Sequence, residues 1–194
     1  LGLVPGFGDL LGSGISGAIM FDAVRARVPV PVLAQMAWNP YADGPAILDD
    51  YYRRAFGPAY EPMKAYWTLL EDAAENIIFN EQPQAEVWNA AFFDRAYGYM
   101  DQADRAVANA PAIYADRLAF VRAGLDYTRL IMETRVLMAR LRESKGADTA
   151  AEAAARANWD RIIQINKDHP TAVNWTYVGP GRGNTRSIHP DHYK

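Results

Sequence analysis

Three glycines near the start of the chain have the spacing of a nucleotide-binding turn. Gly12, Gly14 and Gly17, followed by Ala18, match the G-x-G-x-x-G/A pattern, whose glycines let the backbone approach a pyrophosphate. The pattern requires a buried strand before it and an acidic residue about 20 residues after it. Here further glycines interrupt the preceding stretch, and arginines and a Val/Pro run follow. We therefore favour a Gly-rich loop over a nucleotide site and predict no cofactor.

Asp22 stands at the end of a short apolar segment that could position it for catalysis. Residues 15–22, ISGAIMFD, are apolar and bounded by glycine on one side and charge on the other, which is typical of a buried strand in a parallel sheet. A helix is the alternative. As the end of a strand in a βα unit, Asp22 would lie at the edge where α/β barrels carry their chemistry. The competing interpretation of Asp22 is a capping or loop aspartate.

Two histidines near the end of the chain have a metal-ligand spacing without a third ligand. His189 and His192 are three residues apart, but Pro190 stands between them and no further ligand is evident nearby. The neighbouring GPGRGNT segment lacks the G-x-x-x-x-G-K-[ST] pattern of a P-loop. We predict neither a metal nor a phosphate loop there.

Paired acids and arginines between residues 49 and 54 have a structural explanation. Asp49 and Arg53 are four residues apart, as are Asp50 and Arg54, so each pair would share one face of a helix. This spacing predicts surface ion pairs rather than a catalytic pair of carboxylates.

Composition excludes several classes of function. The 20 Lys and Arg against 23 Asp and Glu give a formal net charge of −3, which offers no general attraction for nucleic acid or an anionic membrane. Cysteine is absent, so disulfides, thiolate metal sites and cysteine nucleophiles are excluded. The sequence has no apolar run near the roughly 20 residues of a membrane span. Because the chain starts at Leu1 rather than Met, we expect it to be part of a longer polypeptide.

Apolar residues recur at intervals of three and four from about residue 43 onward, which predicts a series of amphipathic helices. The predicted helices run from about residue 43 to 56, 60 to 79, 88 to 108, 111 to 144 and 148 to 167, after a shorter one at 31–38. Short connections between long helices favour antiparallel neighbours. The predicted fold is mainly α, a bundle of long antiparallel helices preceded by a short N-terminal strand and loop segment.

Helix-terminating residues fix most of these boundaries. Asp43 and Asp148 are predicted N-caps, while Gly57-Pro58 and Gly146 are predicted to end the helices before them. The longest helix is interrupted by Gly124, which could bend or weaken it. Its apolar stripe is predicted at Tyr114, Leu118, Val121, Leu125, Met132 and Val136.

The stretch from Trp38 to Ala59 resembles part of a known enzyme group. Its features are Trp38-Asn39-Pro40, the acidic residue of the next helix start, the apolar and aromatic residues at 47–48 and 50–52, and the Phe-Gly-Pro-Ala turn at 56–59. In this pattern and order the chain is similar to the end of the barrel region in large bacterial glycoside-hydrolase-like proteins. These proteins are loosely related to α-glucuronidases and to an uncharacterised family found among polysaccharide-degrading enzymes.

The resemblance, together with the helical pattern and the Pro-, Gly- and Asn-rich end of the sequence, predicts three segments. Residues 1–57 would hold a Gly-rich loop, the last strand of a (β/α)8 barrel and the following helices; residues 58–168 a helical bundle; and residues 169–194 an irregular tail. Most catalytic carboxylates would lie upstream of Leu1, with Asp22 carried over as the catalytic candidate. Asp9 and Arg25 are the substrate-binding candidates, since Arg binds a sugar carboxylate well; solvated loop arginines are the alternative.

The resemblance also implies a function: the C-terminal portion of a periplasmic or extracellular glycoside hydrolase acting on a poly- or oligosaccharide. Its partners would be the carbohydrate substrate and the rest of a larger polypeptide, and a homo-oligomer stays open. The alternative is a non-catalytic helical module for binding or oligomerisation.

Overall fold

The computed structural model describes residues 44–78 and 83–172. Asp9, Asp22 and Arg25 lie outside these residues, as do the glycine pattern, the Trp38 segment, the histidine pair and most of the predicted tail. Every regular element in the described part of the chain is helical. The helices are α1 (Gly44–Phe56), a 3₁₀ turn (Gly57–Ala59), α2 (Tyr60–Ile78), the single turn α3 (Gln84–Val87), α4 (Ala90–Val107), α5 (Ala112–Glu143) and α6 (Thr149–Asp168).

The predicted helical fold is therefore confirmed for the described residues, with most boundaries within two residues of those expected. The prediction that α4 begins at Trp88 is wrong by two residues, because Asn89 caps this helix: its side chain accepts a hydrogen bond of 3.0 Å from the Phe92 N–H. The turn α3, which the sequence did not predict, precedes that cap. Trp88 instead stacks edge to face on Phe92, with ring centroids 4.6 Å apart.

The chain divides into two compact units, Leu1–Ala55 and Phe56–Lys194. In the first unit the described residues belong to α1. There the predicted ion pairs are confirmed, at 2.9 Å for Arg53–Asp49 and 2.8 Å for Arg54–Asp50. The two arginine side chains are 59% and 70% exposed, so the pairs lie in solvent and contribute little to stability.

In the second unit, extensive packing among the described helices occurs between elements that are close in sequence. Helix α4 packs on α2 and on the 3₁₀ turn, α5 packs on α4, and α6 packs on α5. Helix α5 therefore carries a different partner on each of two faces. The buried side chains of α2 and α4 are mainly aromatic, Met and Ala residues: Tyr60, Met63, Tyr66, Leu69 and Ala73 on α2, and Phe92, Phe93, Ala96, Met100, Ala103 and Val107 on α4.

Helix α5 has 32 residues and is therefore about 48 Å long. Its first half packs on α4, where Arg122 binds Asp101 and Asp104, and it buries Leu118 and Leu125, which are 0% and 2% exposed. Its second half meets α6, where Leu130 packs with Trp159 and Ile162 in one apolar cluster. A second cluster further along α5 and α6 contains Met138, Leu141 and Ala155.

The apolar stripe predicted for α5 is wrong in its second half. Val136 is 60% exposed, whereas Leu130, Thr134 and Met138 are buried. At about 100° per residue, the change from Leu125 to Leu130 moves the buried face by roughly 140° around the helix. The buried face rotates because α5 packs on α4 in its first half and on α6 in its second half.

Gly124 lies inside α5, and the helix continues through it. Replacing Gly124 by Ala should raise the free energy of unfolding by roughly 0.5–1 kcal/mol, because Gly is a poorer residue than Ala in a helix interior. A Cβ placed there meets no atom within 4 Å among those outside its own local helix. Urea denaturation measures the change. Gly146→Ala is the control and should lower stability, because Gly146 has a φ of +85°. A less stable Gly124→Ala protein would contradict an unobstructed helix at this position.

Candidate functional site

The residues predicted to act in catalysis or substrate binding lie outside the described part of the chain, so the structure does not bring Asp22, Asp9 and Arg25 together or separate them. Within the described residues, a group of connected polar side chains lies between α4 and α5 and continues into a groove between α5 and α6. Sequence reasoning missed this group. Its members come from three helices, and only their i, i+3 and i, i+4 spacing on α4 and α5 could have pointed to it.

A tyrosine and an aspartate form the centre of this group. The Tyr97 hydroxyl donates a hydrogen bond of 2.5 Å to Asp126 Oδ1. Burial raises the pKa of Tyr97, and the hydrogen bond to Asp126 raises it further. Tyr97 is therefore protonated at neutral pH and acts as a donor to the carboxylate. It cannot serve as a general base.

Two arginines of α5 lie against the Tyr97 ring. The guanidinium carbon of Arg129 is 5.1 Å from the ring centroid and that of Arg122 is 6.0 Å from it. Both distances are within reach of a cation–π interaction. Residues 122, 126 and 129 follow the i, i+4, i+7 pattern and so occupy one face of α5. This face meets α4 at Tyr97.

At the α4 end of this polar group, Arg122 binds two carboxylates. Its Nη2 atom lies 2.9 Å from Asp101 Oδ1 and 2.6 Å from Asp104 Oδ2, which stand three residues apart on α4. Burial opposes the charge on Arg122, but the hydrogen bonds to the two aspartates outweigh it and raise the pKa of the guanidinium. The arrangement fixes α4 against α5 and leaves Arg122 without a role as a proton donor.

A groove of about 190 Å³ lies between α5 and α6, next to the Tyr97–Asp126 pair. Its polar lining consists of Asp126 and Arg129 from α5 and of Arg161, Gln164 and Asp168 from α6. Leu130 and Ile165 form its apolar part. The charges of the two arginines and the two aspartates cancel, so the lining carries no net charge.

Several hydrogen-bonding groups around this groove are unused by the described residues. Arg129 Nε lies 3.4 Å from Glu133 Oε1, an ionic contact, yet this buried N–H makes no hydrogen bond. Arg161 is exposed and pairs with no other described residue. Asp168 accepts from Gln164 through Oδ1 at 2.9 Å, which leaves its second oxygen and the Gln164 carbonyl oxygen available.

The turn between α5 and α6 is held by polar contacts that are structural. The Gly146 N–H donates to the Leu141 carbonyl at 2.9 Å, which confirms the predicted helix end at a C-terminal capping turn. Asp148 confirms the predicted N-cap: its Oδ1 accepts from the Ala151 N–H at 2.9 Å, and its Oδ2 accepts from Arg140 at 2.8 Å.

These contacts affect the protonation of Asp148. The hydrogen bond from the Ala151 N–H, with a smaller effect of Arg140, lowers the pKa of the Asp148 carboxyl. The cap therefore stabilises the fold above the unfolded-state pKa of this residue, and the contribution is lost as the pH falls through the folded-state pKa.

Neither a metal-binding cluster nor a membrane-spanning helix occurs among the described residues. No group of three or more His, Cys, Asp or Glu side chains among them could hold a metal ion. None of the described helices is both long and apolar enough to cross a membrane.

Comparison with known proteins gives no family assignment. The chain matches no protein-family model, no curated protein and no solved structure. The resemblance to glycoside-hydrolase-like proteins is a proposal that rests on the residues between Trp38 and Ala59.

Proposed function

We propose that the helices from residue 56 to 168 form a non-catalytic module of a carbohydrate-active polypeptide, whose hydrolytic groups lie upstream of this module. The proposal combines two separate kinds of support. The chemistry of the described side chains supports the non-catalytic character of the helices. The Trp38-Asn39-Pro40 segment and the motifs after it support the association with a glycoside hydrolase.

The observation that carries the proposal is how the acidic side chains are used. Glycoside hydrolysis needs two carboxyl groups about 5–9.5 Å apart, one of them an acid whose pKa is raised. In the helical module Asp101 and Asp104 both bind Arg122, Asp126 accepts from Tyr97, and the pKa of Asp148 is lowered. Each of these four carboxylates is engaged by a partner that holds two helices or a helix end in place, so their arrangement is one of structural contacts and not of a catalytic pair.

The arrangement of the helices also favours a supporting role. Helix α5 packs on α4 with one face and on α6 with another, and the turn into α6 is fixed by the contacts of Asp148. Such a module offers a rigid body on which other parts of a polypeptide can pack. Its charges are distributed in local pairs, which gives no strong attraction for a charged polymer.

The proposed hydrolytic site includes Asp22 as a catalytic residue, with Asp9 and Arg25 as substrate-binding residues. In the full-length polypeptide, Asp22→Asn should lower kcat/KM roughly a hundredfold, because the amide can neither accept a proton nor act as a nucleophile. The measurement is hydrolysis of a panel of aryl glycosides. Asp49→Asn, which alters a surface ion pair of α1, is the matched control and should leave the rate unchanged.

Two outcomes would contradict parts of this proposal. Full activity of the Asp22→Asn protein would remove Asp22 from the site. Failure of the full-length polypeptide to hydrolyse any glycoside in the panel would overturn the carbohydrate-active part and leave the non-catalytic module standing alone.

A further inference from the structure

We propose that the groove between α5 and α6 binds one uncharged sugar ring. This is a binding function of the helical module itself, and it holds whether or not the upstream residues hydrolyse glycosides. The inference comes from four properties of the groove: its charge balance, its unused hydrogen-bonding groups, its apolar part and its size.

The charge balance selects an uncharged ligand. Arg129 and Arg161 line the groove together with Asp126 and Asp168. An anion bound to the two guanidinium groups would face the two carboxylates, and a cation bound to the carboxylates would face the guanidinium groups. A ligand without net charge avoids both repulsions.

The unused polar groups select a ligand with several hydroxyls. Each guanidinium carries five N–H donors, and neither Arg129 nor Arg161 uses one in a hydrogen bond to another described residue. Asp126 and Asp168 each have an oxygen beyond the one held by Tyr97 or Gln164. A hydroxyl group can donate and accept hydrogen bonds at the same time, so it can bind both the arginines and the aspartates of the lining.

The apolar part and the volume narrow the ligand to a sugar ring. Leu130 and Ile165 contribute to the lining: Leu130 is buried in the cluster with Trp159 and Ile162, and Ile165 is partly exposed and packs against that cluster. The C–H face of a pyranose can lie on such a surface while its hydroxyls point to the polar rim. A volume of about 190 Å³ is below the roughly 300–1,000 Å³ of sites for larger ligands, which favours a single ring.

The groove is preorganised on its α5 side. Asp126 is held by Tyr97, and the Arg129 guanidinium lies 5.1 Å from the Tyr97 ring centroid. Both side chains are therefore oriented before a ligand arrives, which reduces the entropy lost on binding. The α6 side chains Arg161 and Gln164 are exposed and supply the adaptable contacts.

The test is a titration of the 194-residue chain with D-glucose, D-galactose, D-mannose and D-xylose, followed by backbone amide shifts in ¹H–¹⁵N NMR spectra at 0.15 M salt. At least one sugar should give saturable shifts confined to the parts of α5 and α6 that line the groove. The expected dissociation constant is roughly millimolar, since a single small ring offers few contacts.

Substitutions locate the site. Arg161→Ala and Gln164→Ala should each weaken binding of that sugar at least fivefold. Both positions are exposed on a helix, where Ala is well tolerated, so the variants should remain folded. Arg156→Ala is the matched control on α6: Arg156 binds Glu152 and does not line the groove, so binding should stay within twofold.

Three results would overturn the proposal. The first is no saturable shift with any of the four sugars up to 100 mM. The second is binding that the Arg161→Ala and Gln164→Ala variants leave unchanged. The third is tighter binding of D-glucuronate or glycine than of every neutral sugar, because a carboxylate would then be the recognised group.

Discussion

Leu130→Ala should lower the free energy of unfolding by about 2–5 kcal/mol, while Val136→Ala on the same helix should change it by less than about 0.5 kcal/mol. Leu130 is 1% exposed in the cluster with Trp159 and Ile162, and truncation would leave a cavity between α5 and α6. Val136 is 60% exposed. Equilibrium unfolding in urea, followed by circular dichroism, measures both changes.

This pair of variants separates two descriptions of α5. If one apolar stripe continued along the whole helix, Val136 would be a core residue and its truncation would be costly. Because the packed neighbour of α5 changes from α4 to α6 along its length, truncation of Leu130 should lower the free energy of unfolding more than truncation of Val136. A larger loss for Val136→Ala than for Leu130→Ala would show that the packing of α6 on α5 is incorrect.

Gly57→Val should lower the free energy of unfolding by roughly 3 kcal/mol. Gly57 has a φ of +50°, which a β-branched residue adopts only under strain. An added Cβ would also lie 2.6 Å from the Tyr114 ring. The substitution would therefore disturb both the 3₁₀ turn after α1 and the contact between that turn and the start of α5. The same urea denaturation measures the loss.

A double-mutant cycle divides this loss into its two causes. In a Tyr114→Ala background the clash is gone but the backbone strain is not, so Gly57→Val should cost clearly less there, with about 1 kcal/mol or more remaining. Equal costs in both backgrounds would contradict the close approach of Gly57 to Tyr114. No cost in either background would contradict the positive φ.

Local sequence signals were sufficient for most of the helix boundaries, although not for the start of α4 or for the turn α3. Asp148 and Gly146 act through hydrogen bonds with backbone groups within five positions, and the sequence pattern predicted both. The buried face of α6 was also predictable, because this helix buries one stripe, with Ala151, Ala155 and Trp159 among its members. Boundaries and single faces depend on near neighbours in the chain.

Features that depend on distant residues were not predictable in the same way. Tyr97 and Asp126 are 29 positions apart, and their hydrogen bond exists only because α4 and α5 pack antiparallel in one register. The rotation of the buried face likewise depends on the position along α5 at which its packed neighbour changes from α4 to α6. Asp22, Asp9 and Arg25 stay predictions, since they lie outside the described residues.

The most direct test of the proposed non-catalytic character of the helical module is the activity of Tyr97→Phe in the proposed carbohydrate-active polypeptide. Tyr97 with Asp126 is the arrangement in the described helices that most resembles catalytic machinery, and Phe removes its hydroxyl while keeping a ring within reach of Arg122 and Arg129. We predict a lower melting temperature and a kcat/KM for glycoside hydrolysis within twofold of the parent. A loss of about a hundredfold in a protein that remains folded would contradict the account and place the chemistry in the helices.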